Sequence, residues 1–143
     1  MTNFIVQEEY YSVEQCRANK DTLYIFGDNL IGIGSGGQAI IRSERNVFGL
    51  PTKIFPLNSP QAYLHDYDQE SYLYVTKFYC NVFMKLEELS MDYKKVVFPA
   101  AGLGTGLSRM PEYAPKLLEY IDFRVSTLIG EDYAKYRNNL HLA

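Results

Sequence analysis

A chain of 143 residues, 47% hydrophobic and 22% charged, has the composition of one soluble globular domain that can bury a real core. Its net charge of −3 and pI near 5.4 exclude an electrostatic binder of duplex DNA or RNA, and the longest basic run is the pair Lys94-Lys95. No apolar run approaches the ~20 residues that span a bilayer, so no membrane partner is expected.

In chain order, Phe4–Val6 and Thr22–Phe26 ("TLYIF") read as strands, the second rich in β-branched and aromatic residues. Between them Ser12-Val13-Glu14-Gln15 fits a capping box and predicts a short helix near residues 13–19. A glycine-rich loop follows, and "QAIIRSER" from Gln38 reads as a short helix. In "NVFGLPTKIFPLNSP", Pro51, Pro56 and Pro60 break regular structure and predict a short extended piece running into a long loop. Tyr72, Val75, Tyr79, Val82, Phe83, Leu86 and Leu89 recur at spacings of three and four, which marks a long amphipathic helix from about Asp68.

Lys94–Phe98 ("KKVVF") reads as a strand buried on both faces, emptying into a second glycine-rich turn. Pro115 suits the first turn of a helix over Ala114–Asp122. "RVSTLIG" fits a strand or a continuation of that helix, and "EDYAKYRNNLHLA" reads as a partly exposed terminal helix. Strands alternating with helices predict a single α/β domain with a mixed or mostly parallel sheet flanked by helices.

Cys16 and Cys80 lie far apart and form no Cys-x-x-Cys, so they read as free thiols in a reducing compartment, with Cys80 on a buried helix face. The first residues, "MTNFIVQEEYY", carry acids where a secretory signal needs a positive then apolar stretch, which predicts a cytoplasmic protein. His65 and His141 have no partner at metal-ligand spacing, and no G-x-S-x-G elbow exists, so neither a metal, a cofactor nor a covalent triad is expected. The thirteen tyrosines read as half-buried packing.

Five of the ten glycines fall between Phe26 and Arg42, and a second cluster follows Pro99. Both clusters sit where a strong strand ends and a helix follows. In an open α/β sheet, ligands bind outside the carboxyl ends of strands, where glycines let the main chain approach an anion and helix starts offer free N–H groups. Two such loops side by side make a cradle for a diphosphate. Gly32, Gly34 and Gly37 match G-x-G-x-x-G, but five residues separate them from the strand and no acid closes the next one, unlike a Rossmann fingerprint.

The predicted wall is Gly34, Ser35, Gly36, Gly37 and Gln38 on one side. Gly102, Leu103, Gly104, Thr105, Gly106, Ser108 and Arg109 face them. Ser and Thr hydroxyls with glycine amides make a phosphate nest, and Arg109 can fork onto a diphosphate, while Ser108 can instead cap the following turn. Asp28 can accept from a base amino group or ribose hydroxyl or position a water, or it can bond the loop amides as an Asx turn. Asn29 suits a ribose diol or the same turn role, and Gln38 suits a phosphate or open solvent. Arg42 shares the Gln38 face or forms a surface ion pair. Lys53, between prolines, can neutralise a phosphate, act as a Schiff-base nucleophile if burial lowers its pKa, or sit solvated.

"FGDNLIGIGSGGQAII" resembles the corresponding segment of macrodomains, the ADP-ribose-binding α/β family: Asn29 stands at the family's Asn and Gly36–Ile40 at its glycine-to-helix junction. "VVFPAAGLGTGLSRMP" is similar to the family's later strand and phosphate loop, and "PAAGLG" resembles the loop of compact macrodomains that remove ADP-ribose from glutamate. The resemblance covers roughly residues 22–122 and implies a three-layer, macrodomain-like domain over residues 1–143. "FGDN…GGQAIIR…GLPTK" also resembles a small uncharacterised family of phages and bacteria, which implies a host-cytoplasmic location if phage-encoded and supplies no function.

The resemblance implies an ADP-ribose-type small molecule or an ADP-ribosylated macromolecule as partner. Three functions follow: binding of ADP-ribose or a related nucleotide diphosphate, its hydrolytic removal, or a non-enzymatic protein-interaction domain whose loops are only turns. In the hydrolase reading Asp28 and Asn29 orient the ribose or water, and Lys53 or Arg109 supplies positive charge. Gln38 stands where the family often has an acid, and Thr105-Gly106-Leu107 where the compact hydrolases place a catalytic Asp. Lys53 matches their lysine only loosely, so binding is favoured over turnover. "GLGTG" also suits a SLOG-type nucleotide-handling fold, but Glu112 comes too late for that loop's catalytic Glu.

Overall fold

The computed structural model describes residues 1–66 and 69–137; nothing is described of the side chains of residues 69–71. Strands β1 (Asn3–Gln7), β2 (Thr22–Asn29), β3 (Val47–Lys53) and β4 (Lys95–Pro99) form one parallel sheet in the order β1-β4-β2-β3. Alternation in β2 aims Leu23 and Ile25 at one face and Tyr24 and Phe26 at the other. The first pair packs under α2 (Gln69–Ser90) and, after the single turn α3 (Met110–Tyr113), α4 (Pro115–Ile129), against Tyr79, Phe83, Leu86, Leu117 and Ile121. The second pair packs against Tyr11, Ala39, Ile41 and Cys16 of α1 (Val13–Ala18). The sheet thus has helical cover on both faces, in three layers.

Local sequence explains the helix ends. The Ser12 hydroxyl accepts from Gln15 N–H at 3.1 Å, half of a capping box; the Gln15 amide pairs instead with that of Gln7, at 2.6 and 3.0 Å. Asp66 caps α4 from a distance, taking the N–H groups of Lys116 and Leu117 at 2.6 and 3.1 Å. Gly130, at φ 79°, closes α4 in the left-handed conformation, so "RVSTLIG" continues the helix past Asp122. Beyond it residues 134–137 form a helical turn, while residues 138–143, with His141, lie outside the described residues.

Three expectations need correction. "QAIIRSER" is not an α-helix: only Gly37–Ile41 forms a 3-10 turn, a geometry confined to short runs, and Arg42 leaves it to reach back along the chain. The proline-bearing stretch after Asn46 is extended and then runs into a loop as expected, but the extended piece, Val47–Lys53, is a paired strand that includes Pro51. Pro51 is tolerated there because β3 is an edge strand of the sheet, with β2 as its one neighbouring strand among the described residues, and the Pro51 carbonyl accepts from the Tyr79 hydroxyl at 2.6 Å. β2 runs on with it to Asn29, with a bulge at Asp28/Asn29. Cys80 is half-buried; the buried thiol is Cys16, which burial pushes up to about 11, so it stays protonated at neutral pH. Among the described residues no helix is long and apolar enough to cross a membrane.

Candidate ligand-binding cleft

The sheet places the carboxyl ends of all four strands around one cleft of about 940 Å³. Gln7 closes it from β1, Gly27–Asn29 from β2, Thr52 and Lys53 from β3, and Pro99 onward from β4. Pairing between β2 and β4 ends at Tyr24 and Val97, so the two strands part and their following loops become facing walls.

The first loop is held by its own polar side chains. The Asn29 oxygen accepts from Ile31 and Gly32 N–H at 3.1 and 3.0 Å, and its amide donates to Ile33 O at 2.8 Å, an Asx turn with both ends of the side chain engaged. Arg42 grips Asp28 with two bonds of 2.8 and 2.6 Å and donates to Gly34 O at 2.8 Å. Asp28 also accepts from Asn29 N–H at 2.7 Å. Gly49 makes room: a Cβ there would meet the Asp28 side chain at 2.4 Å.

The second loop folds over Met110. Gly102 and Gly104 take φ of 97° and 84°, and a Cβ on Gly104 would lie 2.3 Å from Met110 Sδ. The Thr52 hydroxyl, fully buried, meets that of Ser108 at 2.6 Å. Gln38 joins the walls, accepting from Gly27 N–H and donating to Gly102 O, each at 2.9 Å. Among the described residues, the N–H groups of Gly34, Gly36, Gly104, Gly106 and Ser108 donate to no protein acceptor.

Lys53 is the unusual charge. It is 6% exposed, yet among the described residues its ammonium has only the Asn58 amide oxygen at 3.3 Å and the Tyr63 ring, centred 5.2 Å away. No carboxylate among the described residues lies within 4.0 Å of it.

The structure gathers Asp28, Asn29, Lys53, Gly34, Gly36, Gly37, Gln38, Gly102, Gly104, Gly106 and Ser108 into this wall. Ser35, Leu103, Thr105 and Arg109 lie outside it. Leu103 is core, and the Thr105 hydroxyl turns to Ala101 O. Arg109, left-handed at φ 50°, pairs with Glu112 and lies 5.8 Å from the stacked rings of Tyr63 and Tyr113, a pier behind the loop. Thr52, Asn58 and the segment Gln7–Tyr11 are wall residues that carried no motif in the sequence. Among the described residues no group of three or more His, Cys, Asp or Glu could hold a metal ion.

A family model described as a family of unknown function, DUF7831, matches residues 6–124. The chain belongs to this family. The DUF7831 span holds every wall residue, from Gln7 to Ser108. No curated protein and no solved structure matches the chain.

Proposed function

We propose that the cleft binds a nucleotide diphosphate of the ADP-ribose type, with the macrodomain-like motifs of its two loops around the phosphates. The observation that carries this reading is Lys53: a buried lysine with no carboxylate within 4.0 Å among the described residues, in the wall of a cleft lined by free glycine N–H groups. A positive charge without a carboxylate of its own in that wall leaves an anionic ligand as its natural counterion. The volume falls within the range of about 300–1,000 Å³ usual for small-molecule sites.

Binding is favoured over turnover. The Asp28 carboxylate is gripped by Arg42 and the Asn29 side chain is engaged in its own turn, so both already serve to hold the loop. A cytoplasmic location goes with this reading, supported by the free thiols Cys16 and Cys80. The exposed side chains of Ile33, Ile40 and Leu107 at the mouth favour, as a second reading, a protein-interaction surface.

Calorimetry with ADP-ribose, AMP, NAD and ribose 5-phosphate separates the two. The expected result is binding of ADP-ribose, weakened at least about tenfold in Lys53→Met while the melting temperature holds or rises. No heat with any of the four overturns the nucleotide reading and leaves the protein surface.

A further inference from the structure

Gln38 is where the two glycine loops meet. Its side chain leaves the 3-10 turn that ends the first loop, accepts from the last part of β2 at Gly27, and donates to the start of the second loop at Gly102. An amide supplies both the acceptor and the donor this needs, whereas an ionised carboxylate accepts from Gly27 but repels the Gly102 oxygen. The approach is close: a Cβ on Gly27 would lie 3.6 Å from Gln38 Oε1 and 3.8 Å from Gly104 N. At its far end the second loop has a separate anchor, the Thr52–Ser108 hydroxyl pair. The Gln38 bond therefore governs the Gly102–Gly104 stretch, whose Gly104 carbonyl receives the Met110 N–H.

We infer that Gln38 is a positioning residue that fixes the separation of the two glycine loops and thereby selects a ligand bridging both, a diphosphate-linked one, over a single phosphate. This rests on the reading of the cleft given above. A monophosphate touches the N–H groups of one loop and is indifferent to drift of the other. Two linked phosphates need both sets at a set spacing, and a wall that already stands there removes the ordering cost from binding.

The test uses Gln38→Met and Gln38→Glu with two measurements. Without ligand, hydrogen exchange should show at least about tenfold lower protection at the Gly102 and Met110 amides, which bond Pro99 O and Gly104 O, while Leu23 and Val96 in the core stay protected. With ligand, the ratio of ADP-ribose to AMP affinity should fall at least about fivefold in both variants. Unchanged protection at Gly102 and Met110 overturns the inference, and so do equal losses for the two nucleotides, which would mark a merely structural amide. A wild-type protein that binds neither nucleotide fails differently: it overturns the reading of the cleft, and the ligand selection with it.

Discussion

The Tyr11 hydroxyl lies 2.8 Å from the carbonyl oxygen of Ile25, just past the last pairing of β2 with β4. It is also 3.2 Å from Val97 O, so one buried donor serves both strands where they part. On the other face Tyr133 donates to Pro99 O, and Tyr79 to Pro51 O. Carbonyls that lose their sheet partners around the cleft are thus satisfied by tyrosines from outside the sheet. Tyr11→Phe should cost about 1–3 kcal/mol in urea unfolding, because it strips a donor from buried oxygens. A change below about 0.5 kcal/mol would count against this role.

The same tyrosines set an alkaline limit. Burial raises the pKa of Tyr11, Tyr79 and Tyr133 above the ordinary value, while tyrosines of the unfolded chain ionise near pH 10. Above that pH the unfolded chain releases protons the native state retains. The stability they contribute is therefore complete below about pH 10 and is lost as pH rises, by about 1.4 kcal/mol per pH unit for each. Cys16, raised to about 11, adds a smaller loss starting near pH 9. Urea midpoints taken from pH 8 to 11 should fall steeply past 10, and less steeply in Tyr11→Phe.

Glycines of the second loop should divide sharply. Gly104→Ala combines a left-handed backbone with a clash against buried Met110 and should cost about 2–5 kcal/mol. At Gly106 the φ is not positive and an added Cβ meets nothing within 4 Å, so Gly106→Ala should stay within about 0.5 kcal/mol. Gly106→Glu then probes the cleft in a folded protein. It should weaken ADP-ribose at least about tenfold by placing a carboxylate against the phosphates.

Asp28 and Arg42 should behave as one unit. Their side chains are only 13% and 23% exposed, so Arg42→Ala leaves a half-buried carboxylate and should cost about 2 kcal/mol. Gly49→Ala should do comparable damage, since its Cβ would strike the Asp28 carboxylate that Arg42 holds in place and crowd Asp28 Cβ behind it. In a double-mutant cycle in urea, Gly49→Ala should cost less in the Arg42→Ala background than alone. Additivity would separate the two.

Periodicity made α2 legible, because Tyr79, Phe83 and Leu86 had to face one core. β2 and β4 were legible from unbroken apolar runs, and the glycine clusters pointed to the ends where they part. β3 was hidden by Pro51, which a local reading treats as a breaker and only an edge position explains. The cleft's polar links were hidden for another reason. Gln38 reaches residues 11 and 64 positions away, and the Thr52–Ser108 pair spans 56, distances at which sequence carries no spacing rule. Asp28 and Arg42 lie 14 apart, and their pairing follows from the 3-10 turn that replaced the expected helix. Lys53 was visible as a residue in a rigid context, while its burial comes from Asn58 and Tyr63 folding back over β3, with a bridge between Lys53 and Tyr63.

Pro51 also sets where the sheet stops. It has no N–H, and its carbonyl already receives the Tyr79 hydroxyl, so the middle of the outermost strand offers a newcomer neither half of a ladder rung. Just beyond, the Lys53–Tyr63 bridge folds the chain's own return segment across the remaining open stretch. A fifth strand, whether from a second copy or from an extended peptide, finds no rung at Pro51 or Lys53, the cleft end of this edge. Strand addition is thus blocked next to the cleft, where it would narrow the approach from the β3 side.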